Sequence, residues 1–317
     1  MRKIVAVHSL ESRDITLIEE AAPGWTFIDG SDRLAAQEHL QDAEIILGWN
    51  KLVGELAVSD TSKLKWLQNW GAGVDRLPLE RFRQLGISLT CASGVHPYPI
   101  SETIFAMLLG FTRHLHTAIR NQSAGNWAHS GMMAEAHGRT IGILGVGAIG
   151  SETARLAKAF NMTVLGVRRS GRPEQWVDTM YDIAGLNEML SNCDYVVNCL
   201  PYTHETEHLM GEEQFAAMKT TAFYINIGRG KTTDTGALIE ALQSGGIAGA
   251  GLDVFEQEPL PPDHPLWRMD NVIMTPHNAG NTTFYTERVI EIFIQNLKKF
   301  VQGYAPDVSA VDLNSEY

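Results

Sequence analysis

The sequence predicts an α/β protein built from two parallel-sheet domains. Three observations carry that prediction. Short apolar runs alternate with helical patterns along the chain, and strands interleaved with helices form parallel sheets. The runs fall into two series, separated by an apolar helical stretch from Ser101 to Gln122. The second series opens on Gly145-x-Gly147-x-x-Gly150, the glycine spacing of phosphate-binding strand–turn–helix units. At 317 residues the chain is long for one core and comfortable for two.

In the first series the strand candidates are KIVAV (3–7), TFI (26–28), EIILGW (44–49), WLQNW (66–70) and ISLT (87–90). The Ser101–Gln122 stretch follows, with Ser101 as N-cap and Pro99 just upstream. Ile104, Phe105, Leu108, Leu109, Leu115 and Ile119 recur near helical spacing. So apolar a helix is expected to pack between domains or between subunits. The second series is TIGILGV (140–146), MTVLGV (162–167), YVVNCL (195–200), FYINIG (223–228), GAGLDVF (249–255) and NVIMTP (271–276). A last helical pattern, Thr282–Gly303, is expected to return the chain to the first domain. Two domains joined by two crossings would enclose a cleft, a common ligand site.

Composition narrows the function. A formal net charge of −12 argues against nucleic acid as a partner, since phosphate backbones select basic surfaces. No apolar run reaches the ~18–20 residues of a membrane span, so no membrane partner is expected. The start, MRKIVAVHSLESRD, reads as a first strand and not as a signal peptide. Cys91, Cys193 and Cys199 are neither a disulfide framework nor a metal site by count or spacing. A cytoplasmic protein with ordinary thiols is expected.

Gly145 permits the tight turn, Gly147 lets backbone approach a pyrophosphate, and Gly150 lets helix pack on strand. The helix N-terminus at Ala148 and Ile149 offers free N–H groups to phosphate oxygens. Such a fingerprint expects an acidic residue about 20 positions past the first glycine, to hold a ribose 2′-hydroxyl. Here stand Arg168, Arg169 and Ser170, and the next acidic residue is Glu174. On charge alone, GVRRSGRP is also what a solvated loop looks like. Beside the glycine turn, its guanidinium groups suit the 2′-phosphate of NADP(H), with NAD(H) a possible second cofactor.

Three later segments supply chemistry at expected C-terminal strand ends, the edge where open α/β sheets bind ligands. INIGRGKTTD contains Arg229, GLDVFEQEPLPPDHPLW contains Asp253, Glu256 and Glu258, and VIMTPHNAG contains His277. Reduction of a ketone by hydride leaves a developing alkoxide that needs a proton donor, and His277 is the candidate. A carboxylate favours an imidazolium and fixes its ring; Glu258 is the candidate, with Glu256 next. Arg229 can clamp a substrate carboxylate and polarise the carbonyl. Taken singly, each residue also reads as an ion pair, a loop charge or a strand-end hydrogen-bonder. Together, beside a nucleotide turn, they read as a catalytic set.

GVGAIG, NIGRG, GLDVFEQEPLPPDHPLW and TPHNAG, in this order, resemble the D-isomer-specific 2-hydroxyacid dehydrogenases over nearly the whole chain. The resemblance implies two Rossmann-like/flavodoxin-like domains with parallel sheets. Residues 1–99 and 282–317 would form a split substrate-binding domain, and 100–281 an inserted dinucleotide-binding domain. It implies Arg229, Glu258 and His277 as the catalytic set, Asp253 near the nicotinamide carboxamide, and a homodimer built around the cofactor domain. It also implies NWGAGVDRL as the loop for the substrate carboxylate. There the amides of Ala72, Gly73 and Val74 become donors, as in an anion-binding nest, and Asp75 orders the loop. Many NAD-preferring relatives have an acidic residue where Arg168 or Arg169 lies, and its absence supports NADP(H). HNAG after the last strand is unusual, which leaves Asn278 without an assigned role. With no further domain after Tyr317, feedback control through one is not expected.

The leading expectation is NAD(P)H-dependent reduction of a small 2-oxo acid, such as glyoxylate or hydroxypyruvate, to the (R)-2-hydroxy acid, or the reverse oxidation. Pro97-Tyr98-Pro99, Trp49, Trp70 and Trp127 either shape a pocket for bulkier acids or serve packing. The rival is an NADP(H)-sensing, non-catalytic binding protein of the same fold.

Overall fold

The computed structural model describes residues 2–74, 76–129 and 131–313. The chain divides into two compact units, Met1–Val95 with Thr282–Tyr317, and His96–Asn281.

The first unit holds β1 (Lys3–Ala6), β2 (Thr26–Ile28), β3 (Ile45–Leu47), β4 (Trp66–Gln68) and β5 (Ser88–Thr90). They pair in the order β2-β1-β3-β4-β5, all parallel. Both faces are covered, so the strands read as apolar runs without alternation. Ile4, Ala6, Ile45, Leu47 and Trp66 face the layer containing the Tyr285–Val301 helix, through Val289, Ile290, Phe293 and Leu297. Val5, Ile46 and Leu67 face the opposite layer with Val53 and Phe82. Trp66 is fully buried and stacks on Phe293 with centroids 5.0 Å apart. Its indole N–H donates to Thr90 Oγ1 at 2.8 Å, as a buried Trp requires.

The second unit adds β6 (Thr140–Leu144), β7 (Thr163–Val167), β8 (Thr179–Tyr181), β9 (Tyr195–Asn198), β10 (Phe223–Asn226), β11 (Gly249–Leu252) and β12 (Val272–Met274). Their order is β12-β11-β10-β9-β6-β7-β8, again all parallel. The order reverses between β6 and β9, which opens a crevice at their C-terminal ends. The α/β class with parallel sheets is as the sequence predicts. Only β8 among these strands lies outside the expected runs. It is a three-residue edge strand, exposed at Thr179 and half-buried at Met180 and Tyr181, so it carries no strong apolar signal.

The long helix differs from expectation. It begins at Pro97, with His96 as N-cap, and ends at Thr112; a second helix spans Leu115–Ser123. Pro97 and Pro99 fall in the first turn, where a missing N–H costs nothing. The break comes at His114, whose φ of 52° is left-handed. Nor does the first helix wait for a partner. Ile100, Ile104, Phe105, Met107 and Leu108 are buried in the core of their own unit with Ile141, Ile143 and Val197. Tyr98 is exposed in the first turn of that helix, and further exposed apolar side chains follow at Leu115, Ile119, Trp127, Met132 and Met133.

In the first unit the C-terminal segment is tied to its helix through Asn296. Its fully buried amide accepts from Asp307 N at 3.1 Å and Val308 N at 2.9 Å, and donates to Val308 O at 2.9 Å. Asn296→Ala leaves two donors and one acceptor unmet. The expected loss is about 2–3 kcal/mol, read as a lower urea midpoint for the far-UV signal.

Candidate active site

In the second unit the candidate residues gather at the C-terminal edge of the sheet, each on a turn held by a buried polar side chain. Asn226, the last residue of β10, is buried. Its Oδ1 accepts from Gly228 N at 3.0 Å, and its Nδ2 donates to Arg229 O at 3.2 Å and Thr233 Oγ1 at 3.0 Å. This folds the turn that presents Arg229, whose backbone is extended and whose Nη1 donates to Gly228 O at 2.8 Å. A Cβ on Gly230 would lie 1.9 Å from the carbonyl carbon of Phe255, so this turn presses backbone to backbone on the loop carrying the acidic residues. Asn198, ending β9, plays the same part by donating to Tyr224 Oη and Thr232 Oγ1 at 2.8 and 2.9 Å.

Asp253 directly follows β11 and is 2% exposed. Its Oδ1 accepts from Thr275 Oγ1 at 2.6 Å, Asn278 N at 2.9 Å and Ala279 N at 3.2 Å; its Oδ2 accepts from Ala279 N at 3.1 Å. Its backbone carbonyl takes His277 N at 2.8 Å. The carboxylate therefore winds the 275–279 turn around itself and holds His277 at a φ of 50°, a conformation that a non-glycine residue rarely adopts without such support. Asn278 enters through its backbone N–H.

His277 Nδ1 stands 2.8 Å from Glu258 Oε2. A carboxylate only accepts, so the Nδ1 proton belongs on the histidine. Glu258 Oε1 accepts from Phe255 N at 3.0 Å, which fixes the carboxylate. Glu256 is turned elsewhere, to His208 Nε2 at 2.6 Å and Thr235 N at 3.1 Å. Glu258, not Glu256, faces His277.

At the switch point, Gly145 has a φ of 90°, and a Cβ on Gly150 would stand 2.5 Å from Gly145 O. A Cβ on Gly147 would meet no protein atom within 4 Å, so packing does not demand that glycine and the space beside it suits a pyrophosphate. The Ala148–Ala159 helix begins there with no side-chain cap, leaving its first-turn amides, at Ala148 and Ile149, without an intrahelical acceptor. Past β7, Arg168 N donates to Tyr181 O at 3.2 Å, and Gly171 N to Arg168 O at 2.9 Å. Glu174 folds back to 4.0 Å from Arg168 Nη1. Arg169 and Ser170 are exposed, and Arg169 has no ion pair among the described residues.

The first unit holds the 71–74 loop. Asn69 Nδ2 donates to Gly71 O and Gly73 O, both at 2.9 Å, drawing the carbonyls to one side. The amides of Ala72, Gly73 and Val74 donate to no acceptor among the described residues. Asp75 lies outside those residues. Trp49 packs edge-on against Phe82 at 5.8 Å, a core role; Trp127 is 95% exposed. Burial pushes the Cys193 and Cys199 thiols up to about 12 and raises Cys91 as well. No helix of the described residues is long and apolar enough to cross a membrane.

Asn69, Asn198 and Asn226 are functional positions that motif spacing does not mark; their signal in the sequence is an apolar run closing on Asn, in WLQN, YVVN and FYIN. A strand that ends on a buried amide has a turn to hold.

Residues 105–279 match the family described as D-isomer specific 2-hydroxyacid dehydrogenase, NAD binding domain. The chain is 32% identical over 315 residues to a glyoxylate reductase of Pyrococcus furiosus, covering 96% of this chain and 94% of that one. A solved D-isomer specific 2-hydroxyacid dehydrogenase family protein of Aeromonas salmonicida superposes with a TM-score of 0.87 at 35% identity, covering 98% and 99% of the two chains. An NADPH-dependent glyoxylate/hydroxypyruvate reductase of Sinorhizobium meliloti, solved with NADP and sulfate, does so with a TM-score of 0.82 at 27% identity over the whole of both chains. With its two parallel sheets and its glycine turn, this chain belongs to the D-isomer specific 2-hydroxyacid dehydrogenase family.

Proposed function

We propose that the protein reduces a small 2-oxo acid to the (R)-2-hydroxy acid with NADPH, and catalyses the reverse oxidation. The observation that carries this reading is the 2.8 Å pair of His277 Nδ1 and Glu258 Oε2. It assigns Nδ1 to the carboxylate and leaves Nε2 to deliver a proton to the oxygen that becomes the hydroxyl. Glu258, itself fixed by the amide of Phe255, holds the ring in that orientation. Arg229 grips the substrate carboxylate and polarises the adjacent carbonyl. In the first unit, the amides of Ala72, Gly73 and Val74 are donors suited to a carboxylate.

The second unit's residues fit a dinucleotide, judged by the open space beside Gly147 and the uncapped helix behind it. A bound nicotinamide cofactor supplies the hydride. Gly145, Gly147, Ala148, Ile149 and Gly150 would hold its pyrophosphate, and Arg168, Arg169 and Ser170 a 2′-phosphate. Arg169 is the stronger of the two arginines, because Glu174 partly offsets Arg168. Asp253 acts first as the holder of the His277 turn; its Oδ2, with one protein donor, keeps a lone pair for the carboxamide. The NADP found in the Sinorhizobium relative supports this preference. Residues 1–99 with 282–317 would serve the substrate and 100–281 the cofactor. Free, largely buried cysteines support a cytoplasmic setting.

The exposed Leu115, Ile119, Trp127, Met132 and Met133 support a homodimer, since a run of large apolar side chains in water usually marks an interface. Light scattering at micromolar concentration should give twice the 35.0 kDa chain mass; a 35 kDa particle refutes the dimer.

Arg168→Ala with Arg169→Ala should weaken NADPH by tenfold or more and NADH far less, because each lost charge-assisted bond to phosphate costs about 1.5–3 kcal/mol. Titration of cofactor fluorescence reads this directly. A wild type that prefers NADH refutes it.

His277→Asn should lower kcat for glyoxylate reduction by about 10²–10⁴ while NADPH still binds. Arg229→Lys should not restore an Arg229→Ala enzyme, since an ammonium lacks the planar fork. Stopped-flow absorbance at 340 nm measures both. Near-normal turnover in His277→Asn would move the proton donor elsewhere.

A further inference from the structure

The first unit has a switch point of its own. In the order β2-β1-β3-β4-β5, the connections reverse between β1 and β3, and open α/β sheets take ligands in the crevice beyond the C-terminal ends of such a pair. His8 lies two residues past β1 and Gly48 one residue past β3. The imidazole lies over Gly48. A Cβ there would stand 2.8 Å from His8 Cδ2 and 3.1 Å from Nε2. The ring also packs on Trp70, centroids 4.7 Å apart, and Trp70 directly precedes the 71–74 loop. Trp70 is fixed in turn by Tyr285, whose hydroxyl donates to Trp70 O at 2.6 Å. A Cβ on Gly30 would press on His8 N at 2.6 Å, so backbone and ring are both held.

So well seated a ring is not explained by packing alone. Neither imidazole nitrogen makes a hydrogen bond among the described residues, and His8 is only half-buried. We propose that His8 is a specificity-determining residue that hydrogen-bonds a hydroxyl on C3 of the 2-oxo acid. This rests on the proposed reduction of 2-oxo acids with the carboxylate on the Ala72–Val74 amides.

Desolvation pushes the His8 pKa below its ordinary value, which favours the neutral ring with one donor and one acceptor nitrogen. A neutral hydroxyl satisfies either. An alkyl group at C3 would cover the ring and leave its nitrogens without water or partner. A second carboxylate would find no positive charge on that ring.

The test uses hydroxypyruvate and pyruvate, which differ only in the C3 hydroxyl. The readout is the ratio of their kcat/KM values within each enzyme, from which the fraction of folded protein cancels. Wild type should favour hydroxypyruvate. His8→Leu should lower the ratio about tenfold, the worth of one neutral hydrogen bond. His8→Gln, which keeps a donor and an acceptor, should fall between. An unchanged ratio in His8→Leu, or a wild-type ratio of one or less, overturns the role of His8. Absence of wild-type turnover with glyoxylate, hydroxypyruvate and pyruvate alike overturns the underlying reading as well, a result distinct from an active enzyme whose ratio stays put.

Discussion

A parallel strand that stops at a sheet edge leaves backbone amides and carbonyls with no ladder to join, and burial makes each of them costly. In this protein the demand is met by side chains standing at the strand ends. Asn198, Asn226 and Asp253 do it in the second unit, for the amides of Leu200, Gly228 and Asn278, and Asn69 in the first. The same hydrogen bonds shape the turns that carry Arg229, His277 and the 71–74 amides. Stability and function therefore draw on one set of contacts.

The acidic loop shows how geometry resolves what composition cannot. Glu256 and Glu258 stand two residues apart with the same chemistry. Glu256 goes to His208 and the amide of Thr235, Glu258 to His277 and the amide of Phe255. Each carboxylate thus has one backbone amide and one imidazole. The two histidines differ in the nitrogen engaged, Nε2 in His208 and Nδ1 in His277. That difference sets which ring nitrogen is left for other chemistry.

The class of fold was legible because apolar runs and the glycine spacing report directly on buried parallel strands and a phosphate turn. The positions of Arg229, Glu258 and His277 at strand ends were legible for the same reason. The break at His114 was not, since a left-handed histidine leaves no mark in a helical pattern. The edge strand at 179–181 was too short and too wet to register. The return of Glu174 toward Arg168 was hidden because a six-residue separation says nothing about a turn's direction. The seat of His8 was out of reach for a plainer reason: it depends on Gly30, Gly48 and Trp70, which meet only when the first sheet is assembled.

The contact at Gly230 also bears on how this molecule can change. Because a methyl group there would sit inside the backbone of Phe255, the arginine turn and the acidic loop are mated like two faces of a mould. Neither can gain a residue or shift its path without displacing the other. New specificities, in nature or in a selection experiment, should then arise from the rim of the first unit's sheet and from surface loops, while this seam is inherited whole.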